Sequence, residues 1–264
     1  LKADCYSLRV HFNQVRYHRP HLFRCSLPWR YEGVVHEYAD CPGAAAPELV
    51  SGLQYLVGFG EGARSRNSQK YLEDARLLEA ALADHPDVAR NVFYLGQSYR
   101  DAGLWQEAAD AYGRRCELGG WLEERYVSHL ERARLWKLLQ TPAQVPAELL
   151  MAYQLNPYRA EALTELAQFY REIGQWNLGH LFATRAAELK MPVDGLFLEE
   201  AVYRWRAQDE LALAEFYTGR FAEARKRTER LLGDAQIPEM DRQRLHNNLL
   251  HCLTCEGRRQ HALL

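Results

Sequence analysis

The sequence predicts a mainly α-helical fold, a solenoid of repeated helical hairpins preceded by a small β-rich segment. Two observations lead to this prediction. From about residue 69 onward, apolar residues recur at helical spacing and a glycine-centred turn signal returns several times. In the opening segment, by contrast, apolar and polar residues alternate from Tyr6 to Phe12, which is the period of a half-buried strand.

The opening segment contains further stretches with strand character. Apolar, β-branched and aromatic runs are bounded by turn-forming residues, and no complete βαβ unit is present. The predicted strands are Tyr6 to Phe12, Val15 to Cys25 with a break at Pro20, Tyr31 to Tyr38, and Leu49 to Phe59. We therefore predict a β-rich domain at residues 1–62 and a helical domain at residues 63–264. The first helix should run from Gln69 to Ala83, behind an N-cap at Ser68.

The helical part carries a turn signal of the form Gly-x-aromatic-x-x-small. It begins at Gly103, Gly174 and Gly219, and a weaker version with arginine in place of the aromatic residue begins at Gly257. Glycine allows the turn after the first helix of a hairpin, and the small residue lies where the two helices cross closely. Together with Val-x-x-Leu-Gly-x-x-Tyr at residues 92–99, this pattern resembles tetratricopeptide repeats.

The spacing of the turn signals predicts how the repeats differ from one another. Gly103 and Gly174 are 71 residues apart, about two repeats of roughly 34 residues, so a degenerate repeat should lie between them. Its helices are predicted at Glu123 to Leu139 and Pro146 to Leu155. The next interval, to Gly219, is 45 residues, which predicts an expansion at residues 191–195.

The composition narrows the classes of function. The formal net charge of −2 gives no electrostatic reason to expect nucleic acid or an anionic membrane as the main partner. No apolar run reaches the roughly 18 residues that a membrane-spanning helix needs. Six cysteines are too few for a disulfide scaffold in 264 residues, which indicates a reducing, cytoplasmic setting.

The stretch from Trp29 to Tyr38 places His36 and Glu37 together near the end of a predicted strand. An imidazole beside a carboxylate can supply a metal ligand and an acid–base group, although on pattern alone a buried strand with a hydrogen-bonded histidine is the simpler interpretation. The motif Trp-x-Tyr-x-Gly-Val-x-His-Glu-Tyr resembles the acceptor-side signature of inverting family-2 glycosyltransferases of the GT-A fold. In particular, it is similar to bacterial members that carry tetratricopeptide repeats behind the catalytic domain.

This resemblance implies transfer of a sugar from a nucleotide-sugar donor to a glycan or protein acceptor, with inversion at the anomeric carbon. A divalent cation, Mg²⁺ or Mn²⁺, would bridge the donor diphosphate, with His36 completing its shell. Glu37 would orient the acceptor or deprotonate its hydroxyl. Arg64 and Lys70 would neutralise the leaving diphosphate, because cations aimed at developing charge lower a barrier. Solvated charges near a helix N-terminus are the alternative for these two residues.

The chain departs from that family in one respect. The family holds its metal and donor with Asp-x-Asp, and none of the eleven aspartates here is separated from another by one residue. We therefore expect this chain to be the acceptor-side and repeat portion of a longer enzyme. It should be inactive by itself and bind no metal tightly.

The alternative hypothesis is a non-enzymatic repeat adaptor that binds a peptide or protein in its concave groove. The first helices of the hairpins should form that wall and offer amide, aromatic and arginine side chains to an extended peptide or a glycan chain. We expect the wall to hold the acceptor, or a partner protein, near the His36 edge; an ordinary solvated solenoid face is the alternative. The predicted wall residues are Asn91, Tyr94, Gln97, Ser98 and Arg100 in the first repeat, and Arg159, Glu165, Gln168 and Arg171 in the third.

Overall fold

The computed structural model describes residues 2–12, 15–56 and 69–261. Its strands are β1 (Cys5–Phe12), β2 (Val15–Phe23), β3 (Arg30–Glu32), β4 (Tyr38–Asp40), β5 (Glu48–Leu56) and β6 (Leu198–Glu199). Its helices are α1 (Lys70–Asp84), α2 (Ala89–Asp101), α3 (Trp105–Glu117), α4 (Leu122–Leu138), α5 (Val145–Leu155), α6 (Glu161–Glu172), α7 (Trp176–Glu188), α8 (Ala207–Tyr217), α9 (Phe221–Leu232) and α10 (Glu239–His261). A 3₁₀ turn at Pro142–Gln144 precedes α5, and a π-helical turn at Val202–Arg206 leads into α8. The predicted fold class, a tetratricopeptide-like helical array behind a small β segment, is confirmed.

The described residues form two compact units. Unit 1 comprises residues 1–156 with residues 192–198, and unit 2 comprises residues 157–191 with residues 199–264. The domain boundary predicted between residues 62 and 63, the N-cap at Ser68 and the candidate Arg64 all lie outside the described residues. None of the helices that the structure describes is long and apolar enough to cross a membrane.

Four strands form one sheet in the order β5-β1-β2-β6. β1 pairs with β2 antiparallel and with β5 parallel. The break predicted at Pro20 is wrong, because β2 continues through this residue. The ladder instead shifts register there, with Ser7 opposite Pro20 and Tyr6 opposite Leu22. Such a bulge accommodates a residue that has no N–H to donate.

The predicted strand from Tyr31 to Tyr38 is also wrong, because this stretch is a hairpin. β3 and β4 pair antiparallel in a separate two-stranded sheet, with Arg30 opposite Asp40. The chain reverses between them through two residues with left-handed backbone angles, Gly33 with φ 108° and His36 with φ 54°. The β-branched residues at the centre of the stretch indicated a strand, but a glycine that adopts this conformation without strain allows the turn.

The repeats follow the turn signals closely. Gly103, Gly174 and Gly219 have φ between 73° and 78° and connect α2 to α3, α6 to α7 and α8 to α9. The degenerate repeat is confirmed as α4 and α5, and the expansion predicted at residues 191–195 is confirmed between α7 and the helical turn at Val202. The turn predicted at Gly257 is wrong, since α10 runs through it. The signal at Gly257 lacked the aromatic residue that the other three signals have at this position, namely Trp105, Trp176 and Phe221.

Close helix crossing explains the small residues of the repeat pattern. Ala108 and Tyr112 of α3 are fully buried. A Cβ atom built on Gly96 of α2 would lie 2.9 Å from two ring carbons of Tyr112. Glycine at this position therefore lets the Tyr112 ring lie directly on the backbone of α2.

Candidate functional site

The turn between β3 and β4 lies against α2 and brings two predicted site residues into contact. The imidazole of His36 stacks on the ring of Tyr94, with ring centroids 4.2 Å apart and an interplanar angle of 12°. Arg90 donates a 3.0 Å hydrogen bond from Nη2 to the His36 carbonyl oxygen. Its guanidinium also lies 4.7 Å from the Tyr38 ring centroid and 4.8 Å from that of Tyr94. Burial raises the pKa of Tyr94, which keeps its phenol neutral.

The other residues that the glycosyltransferase resemblance singled out form no joint site in the described structure. Glu37 is exposed beside His36, and the Lys70 ammonium lies 4.6 Å from the ring centroid of its neighbour Tyr71. Among the described residues, no group of three or more His, Cys, Asp or Glu side chains could hold a metal ion. A metal role for His36, a catalytic role for Glu37 and phosphate roles for Arg64 and Lys70 therefore stay predictions.

The predicted wall of α2 is only partly accessible. Asn91, Tyr94 and Gln97 are half-buried, and their role in binding stays a prediction. Ser98 is 2% exposed and faces the packed side of the helix, so it is withdrawn from the predicted binding set. The i, i+4 spacing of Tyr94 and Ser98 puts them on one helical face, but a serine is small enough to be buried where helices cross.

Unit 2 contains an open groove of about 340 Å³ between the first helices of its hairpins. α6, the π-helical turn, α8 and α10 all contribute side chains to it. The lining residues are Gln168, Arg171, Trp205, Arg206, Asp209, Glu210, Leu213, Asp241, Arg244 and Asn248.

Arginine–carboxylate pairs hold the wall of this groove. Arg171 is bidentate to Glu210, through Nε at 2.8 Å and Nη2 at 3.0 Å. Arg244 is bidentate to Asp209, at 3.1 and 2.8 Å. Burial raises the pKa of Glu210, although Arg171 opposes the shift, and the hydrogen bonds that Arg171 donates to Glu210 raise the pKa of Arg171. Planar guanidinium groups in two-point contact are rigidly oriented, which makes this a preorganised surface.

The arginines are more accessible than the carboxylates that hold them. The side chains of Arg171 and Arg244 are 25% and 39% exposed, against 12% for Glu210 and 7% for Asp209. Arg206 follows the same pattern, at 28% exposed against 15% for its partner Glu199. A ligand in the groove therefore meets these arginines more than Glu210 or Asp209, alongside Asp241, which also lines the groove and is 30% exposed.

Two of the four residues predicted in the third repeat, Gln168 and Arg171, line this groove. Glu165 is 7% exposed and lies 3.7 Å from Nη2 of Arg206. Arg159 is 1% exposed and bonds Glu161, so its predicted place on the wall is wrong and its role is structural. The residues from α8 and α10 were not among those predicted, although Asp241, Arg244 and Asn248 share one helical face by their spacing.

The two units thus define a protein of the tetratricopeptide-repeat fold with an open groove on the first helices of unit 2. No protein-family model matches the sequence, and no curated protein matches it. The chain is similar to the solved structure of BtubC from P. vanneervenii, with a TM-score of 0.55, 12% identity, and coverage of 75% of this chain and 85% of that one.

A tetratricopeptide repeat protein from Parabacteroides merdae is similar at a TM-score of 0.52 and 18% identity, covering 74% of this chain and 70% of that one. YrrB, described as a TPR protein with an unusual peptide-binding site, is similar at 0.50 and 14%, covering 70% of this chain and 84% of that one. At these identities the likeness shows the fold alone. Nothing in the comparisons supports the glycosyltransferase part of the resemblance.

Proposed function

We propose that this chain is a tetratricopeptide adaptor that binds a peptide segment of a partner protein in the groove of unit 2. The observation that carries the proposal is the arginine-faced groove of about 340 Å³ between α6, α8 and α10. The groove is large enough for a few residues of an extended segment. Its walls are the first helices of successive repeats, which is where such arrays bind ligands. The similarity in fold to YrrB, described as having a peptide-binding site, supports the same kind of role.

The side chains of the groove favour an acidic peptide. Arg171, Arg206 and Arg244 are each more exposed than their partners Glu210, Glu199 and Asp209. A carboxylate of the ligand would therefore gain charge-assisted hydrogen bonds from them. The Asn248 amide can both donate to and accept from a peptide backbone. Trp205 and Leu213 offer apolar area to a neighbouring side chain of the ligand.

Sugar transfer, with its nucleotide-sugar donor and divalent metal, stays a prediction about a longer enzyme. No observation on the described residues favours it over peptide binding.

The test is fluorescence anisotropy with two labelled pools of ten-residue peptides, one rich in Asp and Glu and one rich in Lys and Arg. We expect the acidic pool to bind at least tenfold more tightly, and Arg244→Gln to weaken that binding about tenfold. The matched control is Arg185→Gln on α7, which changes an exposed i,i+3 ion pair with Glu188. Equal binding of both pools, or binding that Arg244→Gln leaves unchanged, would show that this groove is not the peptide site.

A further inference from the structure

The surface of α1 and α2 in unit 1 is already occupied by another part of the chain. We infer that this surface is a recognition site for a short segment with an aliphatic residue followed by a ring, and that the β3–β4 turn fills it in cis. The site is independent of the groove in unit 2, since its residues all belong to unit 1.

A single side chain anchors the turn. Val35 is 4% exposed and belongs to one hydrophobic cluster with Leu78 and Leu82 of α1 and Val92 and Leu95 of α2. Every other residue from 31 to 38 is exposed. A strand of a packed sheet buries alternate residues, whereas one buried residue among exposed neighbours is the pattern of a peptide anchor in a pocket.

Arg90 and Tyr94 contact parts of the turn that any segment with an aliphatic residue followed by a ring would also have. Arg90 binds a backbone carbonyl, that of His36, at 3.0 Å. Tyr94 stacks on a flat ring at 4.2 Å, and the guanidinium of Arg90 lies over a second ring, Tyr38. The α1–α2 surface therefore selects a segment that offers a backbone carbonyl, a ring and an aliphatic side chain. The matching partner is a turn in which an aliphatic residue is followed by histidine or by an aromatic residue.

The turn is held loosely enough to be displaced. β3 and β4 have three residues each and form a sheet of their own, and an isolated two-stranded hairpin is marginally stable in water. His36 has a left-handed φ of 54°, a backbone conformation that few residues other than glycine and asparagine adopt without a cost in free energy. The turn should therefore open at a lower free energy than the helices beneath it. Tethering gives it an effective concentration of about a millimolar, so it excludes weaker peptides while closed.

The test uses a fluorescein-labelled peptide with the sequence of residues 30–40 and the full chain. In the variant Val35→Ser/His36→Asn the anchor and the ring are removed, and asparagine tolerates the left-handed backbone. We expect the peptide to bind this variant at least tenfold more tightly than wild type. Adding Tyr94→Ala should abolish the binding, whereas Arg244→Gln in unit 2 should leave it unchanged. The matched control is Tyr31→Ala, because Tyr31 belongs to the same hairpin and is 74% exposed. This variant should bind the peptide as wild type does.

Three results would overturn the inference: the peptide binds wild type and the double variant equally, it does not bind a folded double variant, or its binding survives Tyr94→Ala. If the double variant does not fold, hydrogen exchange of the wild-type chain decides. Amides of residues 30–40 should then exchange at least tenfold faster than those of α2. Exchange of the two regions at one common rate would make the turn part of the core and overturn the inference as well.

Discussion

The hydroxyl of Tyr203 donates a 2.7 Å hydrogen bond to Oε2 of Glu161 in unit 2. Arg159 binds both oxygens of the same carboxylate, with Nη2 at 2.8 Å from Oε1 and Nε at 3.2 Å from Oε2. Glu161 is fully buried. The bond therefore ties the π-helical turn before α8 to the start of α6 through a charge that water cannot solvate.

Removing this hydroxyl should destabilise the chain. Tyr203→Phe keeps the ring but takes one donor from a buried carboxylate, and hydrogen bonds to charged groups contribute roughly 1.5–3 kcal/mol. We expect the free energy of unfolding to fall by about that amount in a urea titration. Tyr217→Phe is the control, because Tyr217 is 49% exposed and its stacking on Trp176 does not need the hydroxyl. A similar loss in both variants would contradict the role assigned to the bond.

The Glu161 carboxylate should make the free energy of unfolding depend on pH in the acidic range. Burial alone would raise the pKa of Glu161, but the Arg159 guanidinium and the hydrogen bonds from Arg159 and Tyr203 outweigh it and lower the pKa below the ordinary value of 4.5. A lowered pKa means that its contribution is present above about pH 4.5 and is lost as the pH falls through the folded-state value. We expect the unfolding free energy of wild type to decline more steeply below pH 4.5 than that of Glu161→Gln. Parallel pH profiles for the two proteins would refute this assignment.

Two glycines in helices should respond to alanine in opposite directions. Gly96→Ala places a methyl group 2.9 Å from the buried Tyr112 ring, and such overpacking typically costs about 1–3 kcal/mol. Gly257→Ala meets no atom within 4 Å and should stabilise α10 by up to about 1 kcal/mol through helix propensity. Thermal melts of the two variants measure both effects. A stabilised Gly96→Ala would show that α2 and α3 cross less closely than described.

The contribution of residues 192–198 to the free energy of unfolding should come from an aromatic contact rather than from an ion pair. Phe197 lies edge-on to Tyr17 at 5.7 Å and stacks on Phe93 at 6.4 Å. Asp194 bonds His18 at 2.8 Å but its side chain is 64% exposed. We expect Phe197→Ala to cost about 2–3 kcal/mol, below the range for fully buried Phe, and Asp194→Asn at most about 1 kcal/mol. Urea titration of both variants tests the ranking, and the reverse order would disprove it.

The helical repeats could be predicted from the sequence because their signals are local. Gly103, Gly174 and Gly219 each mark a turn within a few residues of the helices that it joins, and each has the left-handed φ that glycine permits. The prediction failed at Gly257, where the aromatic residue of the signal was missing. It failed again at Tyr31 to Tyr38, since β-branched composition does not distinguish a strand from a hairpin.

The sequence by itself determined the fold class and the positions of the helical hairpins that Gly103, Gly174 and Gly219 mark. Only the tertiary structure decided which of the predicted site residues meet. His36 was predicted as a metal ligand and Tyr94 as a wall residue near the His36 edge, but their direct stacking follows from the β3–β4 turn folding onto α2. Likewise, Arg171 faces a groove with Arg244 because α6, α8 and α10 become neighbours. Periodicity records which side of an element is buried, whereas the pairing of distant elements depends on packing that no local pattern contains.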